Sequence, residues 1–142
     1  MRFMMLMLPK GYEKASAGAM PDAKAVAAMM KYNESLQKAG VLLALDGLHP
    51  PSMGARVSFS GGKPKVTNGP FTEAKEVVGG YWMIQVTSKE EAVEWASRCP
   101  ASDNEVIEVR QVQEFSDFPA DVKEAADKFP ELQVQSGQRR GS

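Results

Sequence analysis

The segment 2–8 places apolar side chains on both sides of a β-strand, and this feature constrains the fold more than any other in the sequence. One parity carries Phe3, Met5 and Met7, and the other carries Met4, Leu6 and Leu8. A strand with one face in water alternates apolar with polar residues, so both faces of this strand need cover. The segment 41–45 is also apolar throughout. The sequence therefore predicts a sheet that is shielded from water on both faces.

The order of the predicted elements indicates the fold class. In chain order they are strand 2–8, helix 22–38, strand 41–45, a hairpin of strands 55–60 and 63–67, strand 77–87, a helix capped by Ser88 that runs to about Arg98, and strand 105–112. Gly61-Gly62 is typical of a two-residue hairpin turn. We therefore predict an α+β fold: a ferredoxin-like βαββαβ antiparallel sheet with an inserted β-hairpin and both helices on one face.

The second face of this sheet requires its own cover. It carries one side of the first two strands and, from the long strand, Tyr81 and Met83. An apolar patch of this size is unusual on a soluble monomer. A second copy related by a two-fold axis is the simplest cover, which predicts a homodimer of the dimeric α+β barrel type with a cavity. The alternative is that segment 115–130 of the same chain folds over the sheet.

We predict one α+β barrel domain over residues 1–118 and a C-terminal extension over residues 119–142. In the extension, residues 119–129 have the spacing of a short helix with four apolar residues turned inward: Val122, Ala125, Ala126 and Phe129. Residues 135–142 contain no apolar side chain, which predicts a disordered tail.

Charge and composition exclude several classes of protein. Lys and Arg number 17 against 18 Asp and Glu, so we expect no direct nucleic-acid binding. The N-terminal apolar run 3–8 is too short for an export signal or a membrane span. The single cysteine, Cys99, suits a reducing compartment, and we expect a cytoplasmic protein. No zinc or phosphate-loop motif is present, so we predict neither a metal nor a cofactor.

Six sequence blocks together form a recognisable pattern. They are Asp46-Gly47-Leu48-His49-Pro50, Gly54-Ala55-Arg56-Val57, Asn68-Gly69-Pro70-Phe71, Glu73-Ala74-Lys75-Glu76, Gly79-Gly80-Tyr81-Trp82-Met83-Ile84-Gln85-Val86 and Glu105-Val106-Ile107-Glu108-Val109-Arg110-Gln111-Val112. Over roughly residues 1–118 this pattern resembles the YCII-related family, in the branch named for a DGPF motif. Asn68 stands where that motif has aspartate, and a turn role is retained because asparagine suits turns equally well.

The resemblance implies a dimeric ferredoxin-like α+β barrel. It also implies two kinds of function, because some YCII-like proteins are enzymes that use a His–Asp pair, among them one with dehydrochlorinase-like activity on chlorinated hydroxyquinones. Members of the DGPF branch, by contrast, often accompany extracytoplasmic-function sigma factors. The histidine of the enzyme-like branch lies in the first helix. This chain has Tyr32-Asn33-Glu34 there, so that histidine does not carry over.

Five residues are candidates for a site. His49 is the only histidine and must perform any imidazole acid/base step, with Asp46, three residues earlier, as its carboxylate partner. Arg56 is a candidate anion clamp, Tyr81 is placed to present a phenol to a cavity, and Asn68 is a candidate substrate contact. The structural alternatives are a surface loop for His49, salt bridging for Arg56 and packing for Tyr81.

Three functions remain open from the sequence. The first is a small-molecule enzyme of the acid/base lyase, isomerase or dehydrochlorinase-like type that uses a cavity near His49. The second is a ligand-binding or regulatory module that works with a sigma factor without catalysis. The third is a stable dimer whose cavity is filled by side chains and holds no ligand.

Overall fold

The computed structural model describes residues 1–71 and 73–135, and the chain divides into two compact units, Met1–Gln111 and a second that begins at Val112. The strands of the first unit are β1 (Arg2–Leu8), β2 (Leu42–Gly47), β3 (Ala55–Ser60), β4 (Lys63–Asn68), β5 (Gly80–Gln85) and β6 (Val106–Gln111). Its α-helices are α1 (Ala23–Lys38) and α2 (Lys89–Ser97), and those of the second unit are α3 (Ala120–Asp127) and α4 (Pro130–Gln135).

The main sheet has four strands in the order β2-β5-β1-β6, and every neighbouring pair is antiparallel. Two β-α-β crossovers, through α1 and α2, generate this order. The hairpin β3–β4 forms a separate two-stranded sheet inserted between β2 and β5. The predicted ferredoxin-like α+β fold with an inserted hairpin is confirmed, and it has the topology of the dimeric α+β barrel class.

The core lies between the sheet and the two helices. Phe3 and Met5 of β1 are 1% and 0% exposed, and they pair across the sheet with Ile84 and Trp82 of β5. Leu36 of α1 and Ala92 of α2 are also fully buried, together with Val41 and Val86 at the sheet margins. The parity read from the sequence therefore identifies the helix-facing side of β1 and β5.

The opposite side of the sheet, here called the open face, has an apolar centre. Met4 pairs with Met83, and Leu6 pairs with Tyr81 across β1 and β5, so these four side chains are neighbours on one face. All four are half-buried, whereas the core residues of the same strands are buried. The edge strand β6 contributes exposed polar side chains to this face, among them Glu108 and Arg110, which are paired at 3.2 Å.

Side chains cap the N-termini of α1 and α2. The Asp22 carboxylate accepts a hydrogen bond from the backbone N–H of Ala25 at 2.7 Å, and Ser88 Oγ accepts one from Glu91 N at 3.1 Å. The Glu91 carboxylate accepts from both N and Oγ1 of Thr87, the residue before the cap, and these hydrogen bonds lower the pKa of Glu91. The N-cap predicted at Ser88 is therefore observed, and the returning hydrogen bonds of the Glu91 side chain reach Thr87 and not Ser88.

Two details of the helix-facing side differ from the expected pattern. Val26 and Met30 of α1, whose spacing with Asn33 is that of a buried helical stripe, are 41% and 60% exposed. Tyr32 is buried instead. Its hydroxyl donates to the carbonyl oxygen of Trp95 at 2.6 Å, so it has a hydrogen-bond partner although it is shielded from water. Before β5, Val77 is buried and Val78 is exposed, the reverse of the alternation inside the strand, where Trp82 and Ile84 are buried, because the regular strand begins only at Gly80 and not at Val77.

The second unit contains more helix and less burial than expected. The predicted helix 119–129 is observed as α3, whereas α4 was not predicted. Val122 and Phe129, expected inward, are 41% and 58% exposed, because two short helices have too few side chains to enclose a core. The predicted disordered tail falls, apart from its first residue, on residues 136–142, which lie outside the described residues. Within the described chain, no helix is long and apolar enough to cross a membrane.

Candidate functional site

The loops beside the inserted hairpin line an open pocket of about 350 Å³, here called the loop cavity. Its charged or ionisable lining residues are His49, Arg56 and Glu76. Pro50, which is fully buried, and Val77, which is 6% exposed, add an apolar floor. The loop cavity therefore combines an imidazole, a guanidinium and a carboxylate with an apolar surface, the usual composition of a small-molecule site.

Close backbone packing at Gly69 holds these loops together. A Cβ atom at Gly69 would lie 1.6 Å from the carbonyl oxygen of Pro51, so only glycine fits here. The N–H of Gly69 donates to the carbonyl of Gly54 at 2.8 Å, and the Gly69–Pro70 peptide bond is cis. The Asn68-Gly69-Pro70-Phe71 block therefore fastens the end of the hairpin to the loop that carries His49.

Arg56 has a position suited to anion binding. Its guanidinium carbon lies 4.3 Å from the centre of the Phe71 ring, a cation–π contact. Among the residues that the structure describes, no Asp or Glu oxygen lies within 4.0 Å of the Arg56 guanidinium. Stacking uses the flat face of the guanidinium and leaves the N–H groups at its edge available for a carboxylate or phenolate.

The expected pairing of His49 with Asp46 is not formed. No hydrogen bond or ion pair joins them within residues 1–71 and 73–135, and His49 is exposed at the loop cavity. The Asp46 Oδ2 instead accepts a hydrogen bond from the Tyr81 hydroxyl at 2.8 Å, and this bond raises the pKa of Tyr81. The cause is the sheet register, which pairs Asp46 with Tyr81 on the open face, away from the loop that follows β2.

The structure thus divides the five predicted site residues into three places. His49 and Arg56 line the loop cavity together, whereas Asp46 and Tyr81 form their own pair. Asn68 is exposed at the end of β4, where it pairs with Ala55, and it does not line the loop cavity. Glu76 is the carboxylate that the structure does bring to the cavity of His49. Its sequence signal is its place in the Glu73-Ala74-Lys75-Glu76 block, but no histidine lies near this block in the sequence.

Cys99 has the properties of an unreactive thiol. It is half-buried beside Met29, and burial raises its pKa from 9.0 to about 11. At pH 7.5 we expect the folded protein to react with iodoacetamide roughly a hundredfold more slowly than the urea-unfolded chain, because the thiolate is the reacting form and two pKa units separate the states. Mass spectrometry measures both alkylation rates. Equal rates would show that the Cys99 thiol is not buried and that its pKa is not raised.

The described residues contain no group of three His, Cys, Asp or Glu side chains arranged to hold a metal ion. Comparison with curated proteins finds none that matches the chain significantly. A family model, the YCII-related domain, matches residues 1–116. This span includes all six strands, both helices of the sheet and every residue of the loop cavity. The chain therefore belongs to the YCII-related family.

Proposed function

We propose that the chain is a small-molecule enzyme that binds an organic anion in the loop cavity and moves a proton to or from it with His49. The observation that carries this proposal is the Arg56 guanidinium in the cavity that His49 lines, because it is stacked on Phe71 and has no carboxylate partner in the part of the chain that the structure describes. An arginine kept free of internal partners has its donors available for a substrate carboxylate or phenolate. Family membership does not by itself specify a reaction.

The roles of the side chains follow from their chemistry. Arg56 fixes the anionic group, while Phe71 and Val77 contact the apolar part of the substrate. His49 takes a proton from a carbon or oxygen next to the anionic group and returns it at another position or to a leaving group. Glu76 is the carboxylate that shares the loop cavity with His49, and it takes the place first expected of Asp46 as partner of the imidazole. These steps define acid/base lyase or isomerase chemistry.

A second candidate is a ligand-binding or regulatory module of the DGPF branch that works with a sigma factor. The hairpin favours it, because one side of β3–β4 exposes a row of apolar side chains: Val57 at 52%, Phe59 at 77% and Val66 at 63%. An uncovered apolar surface of this kind suits a protein partner. Turnover of an aromatic substrate that is lost in the variant His49→Gln supports the enzyme, whereas binding without turnover and capture of a purified sigma factor supports the module.

We further propose that the active form is a cytoplasmic homodimer. The half-buried centre of the open face, formed by Met4, Leu6, Tyr81 and Met83, supports a two-fold contact between sheets. The alternative cover, by segment 115–130 of the same chain, predicts a monomer. The single cysteine supports a reducing compartment.

Replacing Arg56 by glutamine tests the anion site. With benzoate as the probe, isothermal titration calorimetry should show affinity about ten- to a hundredfold weaker in the variant, the effect of losing a charge-assisted hydrogen bond. Arg110→Gln is the matched control, because Arg110 is an exposed arginine already paired with Glu108 on β6. Equal benzoate affinity in the wild type and in Arg56→Gln would refute the proposed clamp.

A further inference from the structure

Asn33 is a polar side chain buried inside the core without a full set of partners. It is 8% exposed, and its Oδ1 accepts a hydrogen bond from the indole Nε1 of Trp82 at 2.7 Å. Its Nδ2 carries two N–H donors, and the only acceptor it has among the described residues is the Met30 sulfur at 3.7 Å, a weak one. One amide donor at a nearly buried position is therefore free to bind something else.

Asn33 borders a cleft between α1 and the sheet, distinct from the loop cavity. The cleft, here called the α1–β2 cleft, has a volume of about 160 Å³, and its lining includes Met7, Met29, Leu45 and Trp82 as well as Asn33. A closed apolar cavity of about 150 Å³ holds one benzene ring, so this cleft has room for a single ring. Asn33 and Leu45 also line a larger, more open depression of about 570 Å³ along α1.

The charges around the α1–β2 cleft favour a neutral ligand. Among the described residues that line it, Asp46 is the one acidic residue, and its side chain lies on the open face, where the carboxylate accepts a hydrogen bond from the Tyr81 hydroxyl. None of these described lining residues is Lys, Arg or His. An anion entering the cleft would therefore find no counter-charge, whereas a neutral ring would meet thioether and aliphatic groups, which suit flat apolar surfaces.

We propose that the α1–β2 cleft is a binding site for a small neutral aromatic molecule that carries a carbonyl oxygen, and that Asn33 Nδ2 donates a hydrogen bond to that oxygen. Trp82 holds the amide in place, because its Nε1 fixes Oδ1 and so directs Nδ2 away from the indole. The ring lies among Met7, Met29 and Leu45. This site needs neither Arg56 nor His49, so it stands independently of the proposed function of the loop cavity.

Benzamide tests the site, because it is neutral, contains one ring and has a carbonyl acceptor. In a Trp95→Phe background Trp82 is the remaining tryptophan, so its fluorescence reports the cleft directly. We expect a saturable change in Trp82 emission as benzamide binds. Benzamide should bind about tenfold more tightly than toluene, because one hydrogen bond in a desolvated site contributes about that factor to the affinity. Benzoate should bind the cleft more weakly than benzamide. The inference fails if toluene or benzoate matches benzamide, or if Trp82 emission does not respond.

Asn33→Asp, measured at pH 8, removes the donor and keeps an oxygen for Trp82. It should remove the preference for benzamide over toluene. Gln37→Glu is the matched control, since it makes the same amide-to-carboxylate change one turn later on α1, at an exposed side chain that does not line the α1–β2 cleft, and it should leave benzamide affinity unchanged. Retained preference in Asn33→Asp overturns the inference. If this variant does not fold, the comparison of benzamide with toluene on the Trp95→Phe protein decides, and Arg56→Gln should leave that comparison unaltered.

Discussion

Gly69→Ala is expected to disrupt the loop cavity and to abolish benzoate binding. Its new Cβ would lie 1.6 Å from the Pro51 oxygen and 2.5 Å from the Pro51 carbonyl carbon, and both are backbone atoms that no rotamer change can move aside. The loop carrying His49 must therefore separate from the hairpin end. We expect a loss of about 1–3 kcal/mol in the free energy of unfolding, or more, measured by urea denaturation.

Gly54→Ala is the matched control for this change. Gly54 belongs to the same cluster of loops and bonds directly to Gly69, yet its added Cβ would lie 3.7 Å from the same Pro51 oxygen, an ordinary contact. Its backbone φ is −124°, which alanine adopts readily. Gly54→Ala should therefore keep both stability and benzoate binding. Wild-type stability and affinity in Gly69→Ala would mean that the Gly69–Pro51 contact does not build the cavity.

Met83→Lys is expected to convert the protein from a dimer to a monomer. Met83 lies in the centre of the open face, opposite Met4. In a single copy the lysine ammonium can reach water along its flexible stem, but between two sheets it would be buried without a counter-charge. Leaving such a charge unpaired costs about 3–5 kcal/mol, which corresponds to a dissociation constant higher by roughly 10² to 4 × 10³-fold.

Light scattering during gel filtration measures this effect. The wild type should have about twice the chain mass of 15.5 kDa, and Met83→Lys should have the mass of one chain. Gln85→Lys is the matched control, because Gln85 shares the strand and the face but is already exposed at the margin. A wild-type protein that remains at the mass of one chain in dilute solution contradicts the dimer and favours cover by segment 115–130.

The sheet could be predicted from the sequence because its signals are local. Phe3 and Met5 share a parity, and that parity is the buried one. Gly61 and Gly62 both adopt positive φ, 59° and 76°, as a tight hairpin turn between two strands of opposite direction requires. Alternation along a strand and glycine at a turn are properties of neighbouring residues, so no knowledge of the tertiary structure is needed to read them.

The site could be predicted only in part because it depends on register between distant segments. The separation of Asp46 from His49 by three residues indicated a pair, but a register shift in β2 between Leu42 and Ala44 and the cross-strand match to Tyr81 decide where Asp46 lies. Glu76 reaches the loop cavity from 27 positions beyond His49 in the sequence, a proximity set by the fold. Spacing along the chain carries no information about either contact.

A nuclear magnetic resonance titration of His49 tests the central proposal most directly. The chain has one histidine, so tag-free protein gives one imidazole Cε1–H signal that needs no assignment by mutation. Benzoate binding at Arg56 should shift this signal in a saturable way, with the same dissociation constant as calorimetry, and the shift should disappear in Arg56→Gln. An imidazole signal that stays unmoved while benzoate saturates the protein would contradict a shared site for the anion and His49.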